Sequence, residues 1–137
     1  MDEQTAKDVI EKAFQLRESE LDLSGWNGEE LPVEIGKLTW LEKINLESAG
    51  IKSLPKEIGN LSSLKELNLL NNNLVELPRE IGKLSSLEYL NLSFNLNLRE
   101  LPLVFSELTN LKQLDFSCNN FGYFPFSFTK RNCSGIK

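Results

Sequence analysis

Residues 64–86 read LKELNLLNNNLVELPREIGKLSS, and the order of residue types in this stretch is enough to trace its path. Leu67 and Leu69 alternate with polar neighbours, the period of a short strand with one buried face. Asn72 follows, with a side-chain amide that both donates and accepts and so serves the backbone of an adjacent turn. Pro78 then opens a return leg and Gly82 closes it too soon for a long helix, which predicts a 3-10 or brief irregular helix. Ile81 and Leu84 are expected to point back inward.

The pattern L-x-x-L-x-L-x-x-N-x-L-x-x-L-P-x-x-I-G-x-L-x-x extends in both directions. All five prolines follow a large apolar residue, at Leu31-Pro32, Leu54-Pro55, Leu77-Pro78, Leu101-Pro102 and Phe124-Pro125, with intervals of 23, 23, 24 and 23 residues. A fixed period of this size is the signature of a solenoid. It also explains why 26 of the 137 residues are leucine. The units are 18–40, 41–63, 64–86, 87–110 and 111–133, the last incomplete because Arg131 stands where Leu38, Leu61, Leu84 and Leu108 stand earlier. No unit of this size buries its own apolar edge, so the units must stack on one another. The predicted fold class is α/β: one right-handed curved solenoid with parallel strands on its concave face. The strands are expected near Leu21–Leu23, Ile44–Leu46, Leu67–Leu69, Leu90–Leu92 and Leu114–Phe116.

Two departures from the pattern have predicted consequences. The Asn position is Trp26 in unit one and Ala49 in unit two, so the turns there are expected to be looser or water-bridged. Unit four carries one extra residue in Leu96-Asn97-Leu98, which should bulge the turn and leave the strand in register.

On these motifs the chain resembles leucine-rich repeat proteins, in particular the 23-residue type with the L-P-x-x-I-G-x-L return leg. That type occurs in bacterial proteins, in the repeat portions of Roco-type GTPases and in intracellular Ras-group repeat proteins. The resemblance covers about 18–128 and implies a shared scaffold whose exposed positions set its function.

A solenoid exposes core at both ends. Residues 1–17 are expected to supply an N-terminal capping helix, because Ala6, Val9, Ile10, Ala13 and Phe14 fall on one helical face, with Thr5 or Asp2 as the cap residue. At the other end Phe116, Phe121, Tyr123, Phe124, Phe126 and Phe128 crowd the last unit, either filling its layer or leaving an apolar edge that self-associates. A monomer and a weak dimer through that edge are both open, and 129–137 reads as a frayed tail.

The composition narrows the chemistry. The net charge is −5, with no basic footprint for nucleic acid. There is no His, and the two cysteines, Cys118 and Cys133, are too few for a disulfide framework or a four-Cys zinc site. No phosphate-cradling Gly-rich loop is present, and Glu20 with Asp22 reads as a solvated pair rather than a catalytic one. No catalytic residue, cofactor or metal is expected. Met1-Asp2-Glu3-Gln4 lacks the features of a signal peptide and no run approaches 18 apolar residues, which reads as a cytoplasmic protein without membrane contact.

The concave wall remains as the candidate site. The residues alternating with buried leucines are Glu20, Asp22 and Ser24; Lys43, Asn45 and Glu47; Glu66, Asn68 and Leu70; Tyr89, Asn91 and Ser93; and Gln113, Asp115 and Ser117. With five acids against Lys43 the wall carries −4, favouring a protein or peptide partner with basic contact residues. Leu70, Tyr89 and, one step along the rim, Phe94 read either as an apolar centre for recognition or as ordinary scattered surface residues. The expected function is a non-enzymatic protein-interaction module; the alternative is a structural or regulatory repeat fragment of a larger protein, for example a GTPase-linked array.

Overall fold

The structure, a computed structural model, describes residues 3–119. Helix α1 (Glu3–Leu16) comes first, followed by β1 (Glu20–Asp22), β2 (Lys43–Asn45), β3 (Glu66–Asn68), β4 (Tyr89–Asn91) and β5 (Gln113–Asp115). The strands form one sheet in chain order, every pair parallel, with Leu21, Ile44, Leu67, Leu90 and Leu114 aligned across it. This is the expected solenoid. Each strand sits one residue earlier than predicted, because Leu23, Leu46, Leu69 and Leu92 lie past the strand ends. They stay buried, and each backbone N–H reaches a carbonyl of the following unit at 2.6–2.8 Å.

Between strands the chain returns through four 3-10 helices, Val33–Lys37, Lys56–Asn60, Arg79–Lys83 and Leu103–Glu107, each preceded by the repeat proline. Proline lacks an N–H but its carbonyl accepts the first i→i+3 bond, as in Ile81 N–H to Pro78 O at 3.0 Å. Ile35, Ile58, Ile81 and Phe105 drop from these legs into the core at 0% exposure. The legs stack closely: a Cβ on Gly82 would lie 2.9 Å from Val104 Cβ, and one on Gly59 would lie 2.9 Å from the Glu80 carbonyl oxygen. That spacing is why glycine follows isoleucine in the return leg.

The turn expectations divide. In unit two the turn is held rather than loose, because the Asn72 carbonyl oxygen accepts the N–H groups of Ala49 (3.1 Å) and Ile51 (2.9 Å) from the next unit. The ladder residue thus serves the unit before it. The same amide donates to the Leu46 and Leu69 carbonyls at 2.8 and 3.0 Å, and Asn95 repeats this with Leu69 and Leu92. In unit one Trp26 is itself core, 1% exposed. In unit four the additional residue is absorbed in the turn: Leu96 is exposed, Leu98 buried, and Leu90 still pairs with Leu114.

The predicted helix is present, and Ala6, Ile10 and Ala13 seal the first unit. Arg17 ends it in the left-handed region (φ 53°), with Glu18 N–H returning to the Ala13 carbonyl at 3.0 Å. Phe14, expected on the buried face, is 39% exposed. It lies instead 5.7 Å from the Trp40 ring, which also takes the Arg17 guanidinium at 4.2 Å and donates its indole N–H to the Glu18 carbonyl. Trp40, at the end of unit one, therefore ties down the outer end of the cap. Of the C-terminal aromatics only Phe116 is described, packed against the core; the expected edge at Phe121, Tyr123, Phe124, Phe126 and Phe128, Cys133 and the tail lie outside the described residues.

Candidate functional site

The solvent face of the sheet encloses an open groove of about 530 Å³. Two rows of side chains line it. The first is Glu20, Lys43, Glu66, Tyr89 and Gln113, and the second is Asp22, Asn45, Asn68, Asn91 and Asp115, each row aligned strand by strand. The backbone at Leu21, Ile44, Leu67 and Leu90 forms the floor between them.

The second row is built by one local device. Oδ1 of each of its residues accepts the N–H two positions on, Asp22 from Ser24, Asn45 from Glu47, Asn68 from Leu70, Asn91 from Ser93 and Asp115 from Ser117, at 2.9–3.0 Å. These turns end every strand and carry the chain off the sheet. They also end the strands before the third tier of the expected wall, of which Glu47 still reaches the second row, accepting from the Asn68 amide at 3.3 Å. Glu47, Leu70 and Ser93 belong to the turns, and Phe94 follows in the left-handed region with φ 59°. Ser93 is a correction: expected to face outward, it is 3% exposed, with its hydroxyl donating to Asn91 Oδ1 at 2.6 Å. Of the expected apolar centre, Tyr89 lines the groove at 39% exposure, Leu70 is half-buried, and Phe94 stands on the turn at 50% exposure.

The electrostatics follow from the two rows. Lys43 lies between Glu20 (3.8 Å) and Glu66 (3.5 Å), exposed ion pairs that contribute little to stability but occupy the groove's cation. Four carboxylates against Lys43 leave the groove at −3. Asp22 is held ionised: hydrogen bonds from the Ser24 hydroxyl and then its backbone N–H keep the carboxyl below its usual pKa. Among the described residues no group of three or more His, Cys, Asp or Glu is placed to hold a metal, and no helix is long and apolar enough to cross a membrane.

Comparisons with known proteins agree with this architecture. Two leucine-rich repeat family models match, one over residues 39–96 and the other over 86–108 and 110–130, together more than half of the chain. No curated protein sequence matches. Among solved structures, a leucine-rich repeat protein of Leptospira interrogans is 34% identical with TM-score 0.57, over 74% of this chain and 31% of that one. The plant peptide hormone receptor RGFR1 in complex with RGF2 is 31% identical with TM-score 0.61, over 87% and 26%. The Toll–Spätzle complex of Drosophila is 30% identical with TM-score 0.65, over 77% and 14%. The chain thus spans less than a third of the length of each of these proteins. A parallel sheet, 3-10 return legs, asparagine-held turns and these matches have one meaning: the chain belongs to the leucine-rich repeat family.

Proposed function

We propose that the protein is a non-enzymatic interaction module that binds a protein or peptide with basic contact residues across the strand face. The observation that carries this is the groove of net charge −3, open to solvent, with Tyr89 in its lining. Tyrosine in a polar, charged setting is the composition of recognition surfaces. Two of the similar structures are complexes, of a peptide hormone receptor and of Toll with Spätzle, which favours partner binding for this chain as well. Among the described residues Cys118 is an exposed free thiol, which suits a reducing compartment such as the cytoplasm. The second reading is a repeat portion of a larger protein, for example a GTPase-linked array; the small share of each similar protein that the chain spans favours only its coarser part, a larger repeat protein.

A photo-crosslinking residue tests the first reading. Placed at Gln113 in the groove it is expected to capture the physiological partner, whereas at Leu103, 73% exposed on a return leg, it should not. Capture at Leu103 alone rejects the strand face. Rising salt should weaken the complex through screening.

A further inference from the structure

The second row of the groove divides its side-chain atoms in a particular way. Oδ1 of all five residues is used in the turns. Asn68 gives its amide N–H groups to Asn45 Oδ1 (3.1 Å) and Glu47 Oε2 (3.3 Å). The amide nitrogens of Asn45 and Asn91 donate to nothing among the described residues, and neither Asp22 nor Asp115 is in an ion pair there. The row therefore presents, in order, an anion, a donor, an occupied amide, a donor and an anion.

The spacing of these groups selects a ligand conformation. Adjacent strands lie about 4.8 Å apart, so the two donors are separated by ~9.6 Å and the two carboxylates by ~19 Å. A polyproline II segment turns once every three residues and rises about 9.3 Å in doing so. Carbonyls three residues apart then face the same side at the interval of Asn45 and Asn91, and side chains six residues apart span the interval from Asp22 to Asp115. In a β-extended segment residues three apart face opposite sides, and the two donors are not met together. Lys43, held between Glu20 and Glu66, leaves the cationic role to the ligand.

We propose that the groove takes a polyproline II peptide laid across the strands, with carbonyls three residues apart on the Asn45 and Asn91 amides and two Lys or Arg side chains six residues apart at Asp22 and Asp115. This rests on the strand-face reading above and specifies its ligand. A segment already extended loses less conformational entropy on binding, which suits a groove this open.

Two labelled peptides of the same composition, KPPPPPK and KPPPKPP, titrated into the full chain by fluorescence anisotropy, provide the test. The first is expected to bind at least about fivefold tighter, the scale of one misplaced hydrogen bond or charge contact. The double variant Asn45→Asp with Asn91→Asp keeps both turns, since Asp22 and Asp115 already make them, and adds two negative charges. It should nevertheless weaken KPPPPPK by at least about fivefold, because it removes the donors. Asp22→Asn with Asp115→Asn should remove the preference between the peptides. Equal binding of the two peptides, or tighter binding by the Asn45→Asp and Asn91→Asp variant, overturns the register and leaves the strand-face reading standing. Binding of neither overturns the proposal, and cross-linking at Gln113 then decides the strand face separately.

Discussion

Trp26 packs its six-membered ring into the space a side chain on residue 28 would need: a Cβ on Gly28 would overlap Cζ2, Cε2 and Cη2 of the indole. Units two to four place a smaller residue and then a large one at these positions, Ala49 with Ile51, Asn72 with Leu74 and Asn95 with Leu98, all buried. Unit one reverses the order and conserves the filling of the layer. A single exchange that ignores its partner should then be costly.

Gly28→Leu is expected to destabilise the fold by about 1–3 kcal/mol through overpacking, and Trp26→Ala by about 3–5 kcal/mol through the cavity it leaves. The double variant should lose less than the sum of the two. A double-mutant cycle in urea measures this coupling, and additivity within roughly 0.5 kcal/mol would show that the two sites are independent.

Asn72→Ala removes the acceptor for Ala49 and Ile51 and the donor for Leu46 and Leu69, all within the core. Buried backbone groups left without partners make this one of the most damaging polar substitutions in the chain, at about 2–5 kcal/mol. The loss should appear as faster hydrogen exchange at Ala49 and Ile51, in unit two, before any change in unit four. Exchange that rises uniformly along the chain would contradict the backward reach of the ladder.

Asp22 makes stability depend on pH in a known direction. Its carboxyl is held below the usual value of 3.8 by the Ser24 hydroxyl and backbone N–H, so the folded state binds its proton less readily than the unfolded one. The stabilisation is fully present above the unfolded value and is lost as pH falls through the lower, folded one. Ser24→Ala should raise the Asp22 pKa toward 3.8, as read from the carboxyl carbon shift in an NMR titration. An unmoved pKa would refute the hydroxyl as the main cause.

Phe94 adopts φ 59° where the equivalent turns carry Gly25, Ser48, Asn71 and Cys118. A bulky side chain is unfavourable there by roughly 1–2 kcal/mol, while its half-exposed ring recovers little by burial. Phe94→Asn is therefore expected to raise stability by about 1 kcal/mol in thermal or urea unfolding. A partner that uses the turn beside the groove would at the same time bind the variant more weakly.

The repeat, the strand face and the return legs were legible in the sequence because each rests on a local rule repeated from unit to unit: alternation at Leu67 and Leu69, a φ set by Pro78, a close approach allowed by Gly82. Most of the candidate groove was legible for the same reason, since alternation alone places Glu20, Lys43, Asn45, Tyr89 and Asp115 on one face. What only the tertiary structure decided lies between units. That Asn72 holds the turn of unit two, that Trp26 and Gly28 trade volumes, and that Trp40 gathers Phe14 and Arg17 at the cap all depend on atoms some 20 or more residues apart or on the fit of one side chain against another. Ser93 departs from the expected wall for a related reason. Alternation assumes a continuing strand, but the side chains of Asp22, Asn45, Asn68, Asn91 and Asp115 capture the N–H groups two residues on, bending the chain away and burying Ser93. A period-2 pattern carries no sign of where its strand stops, because that depends on which hydrogen bond wins once the neighbouring unit is in place.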